Sequence, residues 1–155
     1  LKYLNWNDNP SANNIRETTM PVSTQDYMSV QDHMARYCHA IDEGRTDDWV
    51  NMFTNEGVFA GFTPEPLVGR EALRVIPDNA FKDNDGTMCH FAANLFCDYG
   101  DNNDTILASL YNYVTTWIAG QGGRSIVMAK CKLVLVRNGD GWLIKSNHIQ
   151  VLDGS

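Results

Sequence analysis

The second half of the chain is four long runs of β-branched and aromatic residues separated by three turn signals. The runs span about residues 87–98, 105–118, 125–137 and 142–151, and the signals are YGDNND, AGQGG and NGDG. Such residues suit a pleated, half-buried backbone. Consecutive strands with short turns make an antiparallel meander, and strands of this length twist and curl. Whatever precedes them has to cover one side of a curved sheet.

The first half supplies that cover. Tyr27, Val30, Met34, Tyr37 and Ile41 recur at i, i+3, i+4, i+7 spacing, which predicts a helix over 25–42. Thr24 can cap its start, Asp26 lies near the positive end of its dipole, and Gly44 is a stop signal. Thr46 or Asp47 opens a second, short helix with Trp49, Met52 and Phe53 as its apolar positions. GVFAGF reads as a short strand, 70–76 as a third helix and NAFKDNDG as a loop. Residues 1–24 are rich in Asn, Ser and Thr and read as an irregular arm, which Tyr3, Leu4 and Trp6 could anchor to the body or to a neighbouring subunit. Residues 25–155 read as the folded domain. Helices followed by strands is the order of an α+β fold, not an alternating α/β one. Helices laid on the concave face of a strongly curved, mainly antiparallel sheet enclose a cone with one open end.

Composition narrows the function classes. A chain of 155 residues fits one domain with a sizeable core. A net charge of -7, with 12 scattered Lys and Arg, repels phosphate backbones, so no nucleic-acid partner is expected. No apolar run approaches the roughly 20 residues of a membrane span, and no basic-then-apolar leader opens the sequence. No membrane partner is expected. Cys38, Cys89, Cys97 and Cys131 form no CxxC pair and lie in apolar stretches, as reduced, buried thiols of a cytoplasmic protein would.

Strand period then sorts side chains by face. With 138–141 as the last turn, Arg137 pairs with Trp142 and Leu135 with Ile144. Continued without interruption, that register sets Leu133 opposite Ser146 and Cys131 opposite His148. Lys130, Lys132, Lys145 and Asn147 share the opposite face, which should be the outer one because unpaired buried lysines are costly. His148 is therefore expected inside. In MCHFAANLF the same period puts His90, Ala92 and Asn94 together on the inner face. A row of histidine, alanine and asparagine is more polar than core filling requires.

These features resemble the SnoaL-like branch of the NTF2-like superfamily. The resemblance covers about residues 25–152 and rests on helices first, YCHAID-G--DDWVNMFTNEGVF, LVGREAL, an H---N opening a long strand, and GDGWLIK in the last hairpin. One group of that superfamily includes scytalone dehydratase, hexachlorocyclohexane dehydrochlorinase and bile-acid 7α-dehydratase, and it works with an Asp–His pair. The resemblance implies that Asp42, at the end of the first helix, and His90, on the strand after the third, are that pair. It implies a catalytic role for Tyr37 and a substrate contact for Asn94. Those enzymes add an arginine or lysine to the cavity, where this chain offers His148 and Gln150 instead.

A buried histidine beside a carboxylate is a suitable general base, because the carboxylate fixes one tautomer and favours the imidazolium that forms. Proton removal from carbon, followed by loss of a β-leaving group or by reprotonation, gives elimination or isomerisation. Tyr37 could hydrogen-bond a carbonyl or leaving oxygen, with Asn94, Asn112 and His148 as further polar contacts. Apolar walls suit a hydrophobic, ring-containing small molecule. Trp49 and Phe53 are candidates for those walls, although with Phe59 and Phe62 they equally suit the core. Neither metal nor organic cofactor is expected, and no local spacing supports a metal on His90, His148 and Asp42.

The leading expectation is a cofactor-independent lyase or isomerase. The alternative is a non-catalytic ligand-binding or assembly module, like the β subunits of ring-hydroxylating dioxygenases on this fold. An epoxide hydrolase would need an Asp–Arg–Asp arrangement that the inward positions do not provide. Apolar residues on both sheet faces predict a homo-oligomer, dimer or trimer.

Overall fold

Helix α1 runs over Thr24–Asp42 in the computed structural model, which describes residues 20–152. Its cap is one residue earlier than the sequence suggests: the Ser23 side chain accepts the amide of Asp26. Val30, Met34, Tyr37 and Ile41 are buried along the expected stripe. Gly44 ends the helix at φ +65°, a left-handed conformation that glycine adopts without a Cβ penalty. The proposed anchors Tyr3, Leu4 and Trp6 lie outside the described residues.

Helix α2 (Thr46–Asn51) leads into strand β1 (Phe53–Ala60), which starts earlier than GVFAGF. The two-residue strand β2 (Leu67–Val68) precedes α3 (Arg70–Leu73) and α4 (Val75–Asp83). Most of α4 falls where the sequence reads as a loop. Pro77 sits in its first turn, where a missing N–H costs no hydrogen bond, and Ile76 and Ala80 form an i, i+4 pair facing the core. Strands β3 (Met88–Tyr99), β4 (Thr105–Ile118), β5 (Gly122–Asn138) and β6 (Gly141–Val151) are the four long runs.

The sheet order is β2-β1-β6-β5-β4-β3, antiparallel throughout except where β1 runs parallel to β6. The helices lie on its concave face, giving the expected α+β cone. Ala129, Cys131, Leu133 and Leu135 point inward from β5 and Ile106, Ala108, Leu110 and Val114 from β4. Three of the four free thiols are buried; Cys89 is half-exposed, contrary to expectation. Burial pushes Cys38, Cys97 and Cys131 up to about 12. No helix among the described residues is long and apolar enough to cross a membrane.

Two β-bulges overturn the uninterrupted period. Arg137 pairs with Trp142 and Leu135 with Ile144, as expected, but Val134 then pairs with Ser146, leaving Lys145 as an extra residue. Beyond it every side chain of β6 changes face. Asn147 and Ile149 are buried, and His148 is exposed opposite Lys132. On β3, Ala93 pairs with Tyr111 and Phe96 with Ser109, so Asn94 and Leu95 together oppose Leu110. Asn94 adopts φ +54° at this bulge and is exposed, while Leu95 packs on the core in its place.

Candidate active site

Asp42 and His90 meet at the join between the last turn of α1 and the edge strand β3. Asp42 Oδ2 accepts the His90 backbone N–H at 2.9 Å, and Oδ1 lies 2.5 Å from His90 Nδ1. The first bond satisfies an amide on the open edge of the sheet. The second fixes the ring: a neutral imidazole facing a carboxylate through Nδ1 carries its proton there and keeps a lone pair on Nε2. Both side chains are largely withdrawn from solvent, at 9% and 15% exposed.

His90 opens onto a cavity of about 440 Å³ under the sheet. Tyr37 and Ile41 of α1, Asn112 and Val114 of β4 and Ala129 of β5 line its inner part. Phe62, Val75, Ile76 and Asn79 line its outer part, and Asp83 and Asn84 add polar groups there. The Asn112 Oδ1 atom is buried and has no protein partner among the described residues. The Tyr37 hydroxyl accepts a hydrogen bond from Asn147 Nδ2 at 3.4 Å, and burial raises its pKa well above the ordinary phenol value. It is a proton donor, not a phenolate, at neutral pH.

Of the residues expected at the site, Asp42, His90, Tyr37 and Asn112 are brought together. Asn94 and His148 are not, because each lies beyond or at a bulge and faces outward. Gln150 pairs with Lys130 on the same outer face. Trp49 and Phe53 are core residues, both fully buried, with ring centroids 4.9 Å apart. Trp49 packs behind Tyr37 at 5.1 Å, and the cavity wall is built by Phe59 and Phe62 instead. Sequence reading missed Asn147 and the contribution of α4. The apolar i, i+4 spacing of Ile76 and Ala80 was the available signal for the helix; none pointed to Asn147.

The SnoaL-like domain family model matches residues 22–148. Aln2 from a Streptomyces species superposes with a TM-score of 0.80 at 22% identity, over 86% of this chain and 96% of that one. A Catenulispora acidiphila protein, solved in complex with S-DNPA, gives 0.68 at 30% identity over 81% and 92%. An NTF2-like protein with a cystatin-like fold from Novosphingobium aromaticivorans gives 0.74 at 19% identity over 96% and 93%. No curated protein sequence matches.

Proposed function

The chain belongs to the SnoaL-like family, and on that premise we propose that it is a cofactor-independent lyase or isomerase acting on a hydrophobic, ring-containing small molecule. SnoaL-like domains bind small molecules, and the Catenulispora acidiphila relative was solved with one. The observation that carries the catalytic reading is the two-point grip of Asp42 on His90 at the wall of a largely apolar cavity. Packing alone does not call for a withdrawn carboxylate–imidazole pair open to a void, and desolvation strengthens its electrostatics.

In the mechanism, the substrate ring lies against Ile41, Val114 and Ala129 with an acidic C–H facing His90 Nε2. Nε2 takes the proton, and Asp42 stabilises the resulting imidazolium through Nδ1–H. Negative charge moves to the substrate oxygen, where the Tyr37 hydroxyl is the available donor. The imidazolium then gives its proton to the departing β-hydroxyl, which leaves as water and completes a dehydration; return of that proton to another carbon completes an isomerisation.

The test is to incubate the purified chain in D₂O with a panel of cyclic β-hydroxy ketones. Absorbance reports the conjugated product, and NMR reports deuterium entering at the α-carbon. The reading expects both in the native protein and neither in His90→Ala. Inactivity of the chain alone, with activity appearing only in a partner complex, would favour the assembly-module alternative.

We also assign a homo-oligomeric state to the protein. Phe91, Tyr113 and Met128 form one cross-strand row on the convex face, at 50%, 40% and 37% exposed, and a second copy of this face would cover them.

A further inference from the structure

Two buried polar side chains among the described residues, Asn147 and Thr115, take no part in the Asp42–His90 arrangement, and Asn147 is the more deeply buried. Asn147 is 2% exposed on the concave face of β6, opposite Leu133 of β5 and Phe59 of β1. The other buried side chains on β6 are Trp142, Ile144 and Ile149. Its Oδ1 is buried with no partner among the described residues. An amide unpaired at one end opposes folding, so packing does not account for it.

The Asn147 Nδ2–H is aimed at the Tyr37 oxygen. A phenolic hydroxyl accepts on its oxygen and donates one proton. With Asn147 on the oxygen, that proton has to seek another acceptor, and no group among the described residues accepts it. Tyr37 lines the cavity, and Trp49 and Phe53 pack its ring from behind at 5.1 and 6.3 Å. Burial keeps the phenol protonated through the neutral range.

We infer that Asn147 is a positioning residue that sets the Tyr37 hydroxyl as a hydrogen-bond donor into the cavity, to receive a carbonyl or oxyanion oxygen of the ligand. The inference rests on the proposed function, since it assigns the polar end of the same cavity. It also narrows the ligand class. Asn112 Oδ1, buried and without a protein partner among the described residues, is an acceptor open to a donor on the ligand. A ring compound with both an acceptor oxygen and a hydroxyl, as in a β-hydroxy ketone, suits both groups.

The test uses 1-tetralone labelled with ¹³C at its carbonyl as a probe of the native protein, Tyr37→Phe and Asn147→Leu. The bound carbonyl resonance should move downfield in the native protein and not in Tyr37→Phe. In Asn147→Leu, which keeps the volume but not the N–H, the movement should shrink and Kd should rise roughly three- to tenfold, the weight of one neutral hydrogen bond. A volume-filling role for Asn147 would leave the carbonyl resonance unchanged. If Asn147→Leu does not fold, Asn147→Ala takes its place. An equal shift in native and variant protein, or failure of the ketone to enter, overturns the inference. The His90 tautomer, read by ¹⁵N NMR in the same samples, separates the two readings. An intact Nδ1–H with an unresponsive Tyr37 defeats this inference alone. A Tyr37- and Asn147-dependent carbonyl shift without Nδ1–H on His90 defeats the dyad and leaves this inference standing.

Discussion

Asp42 holds His90 at two points, its ring nitrogen at 2.5 Å and its backbone N–H at 2.9 Å, so one carboxylate fixes both the rotamer of the base and the edge of the strand that carries it. The neutral ring should show a protonated Nδ1 and a bare Nε2 by ¹⁵N NMR. Asp42→Ala should release the ring into tautomer exchange. It should also cost about 1–3 kcal/mol of stability, because it leaves a partly buried N–H pair unsatisfied. Denaturant unfolding measures the second effect; an unchanged tautomer pattern would sink the grip.

His90→Gln should keep the fold but lower kcat on any turned-over substrate by about 10²- to 10⁴-fold, the usual weight of a general base. Steady-state kinetics with a substrate from the β-hydroxy ketone panel measure it. A drop confined to KM would assign His90 to binding.

Gly44 and Gly139 share a left-handed backbone, at φ +65° and +60°, but not a neighbourhood. A Cβ at Gly44, two residues after Asp42, would stand 2.7 Å from Cγ of Phe81 in α4, whereas a Cβ at Gly139 would meet nothing within 4 Å. Gly139→Ala should therefore cost only backbone strain, about 1 kcal/mol. Gly44→Ala should cost more and should also perturb the His90 resonances. Equal losses in thermal unfolding would show that the Phe81 contact is slack.

Asp26 should make the fold acid-sensitive. Its Oδ1 and Oδ2 each accept from Arg137 at 3.2 Å, and the guanidinium holds the carboxyl below its ordinary 3.8. The unfolded chain therefore protonates this group first as pH falls. The stability it contributes is complete above the ordinary carboxylate range and is lost as pH drops through the lowered folded value. Melting temperature plotted against pH should fall more steeply for the native protein than for Asp26→Asn in that window; parallel curves would rule out the linkage.

Phe91→Glu places a charge in the Phe91–Tyr113–Met128 row without touching the concave face. Sedimentation velocity should show the native oligomer shifting toward monomer with the His90 spectrum unchanged. A native protein that already sediments as a monomer would remove the second copy from this face.

The helical stripe from Tyr27 to Ile41, the four strand runs and the Asp42–His90 pairing were legible in the sequence, because each follows from periodicity or from motif resemblance within elements whose ends are marked. Tyr37 was legible for the same reason, whereas Asn112 was named only as one more polar residue that could contact a substrate. The loss of most of α4 to a loop reading came from giving the polar NAFKDNDG stretch more weight than the Ile76–Ala80 spacing.

What the sequence by itself determined was the α+β order, the curled meander and the meeting of Asp42 with His90. What only the tertiary structure decided was which way β3 and β6 face beyond their bulges. Period-2 counting carries an assignment along a strand until an extra residue is inserted, and no local residue pattern announced the insertions at Asn94 and Lys145. They accompany the bending of long strands into a cone. Each turns one expected polar contact out to solvent, Asn94 and His148, and the second brings in Asn147, whose partner Tyr37 lies 110 residues earlier in the chain.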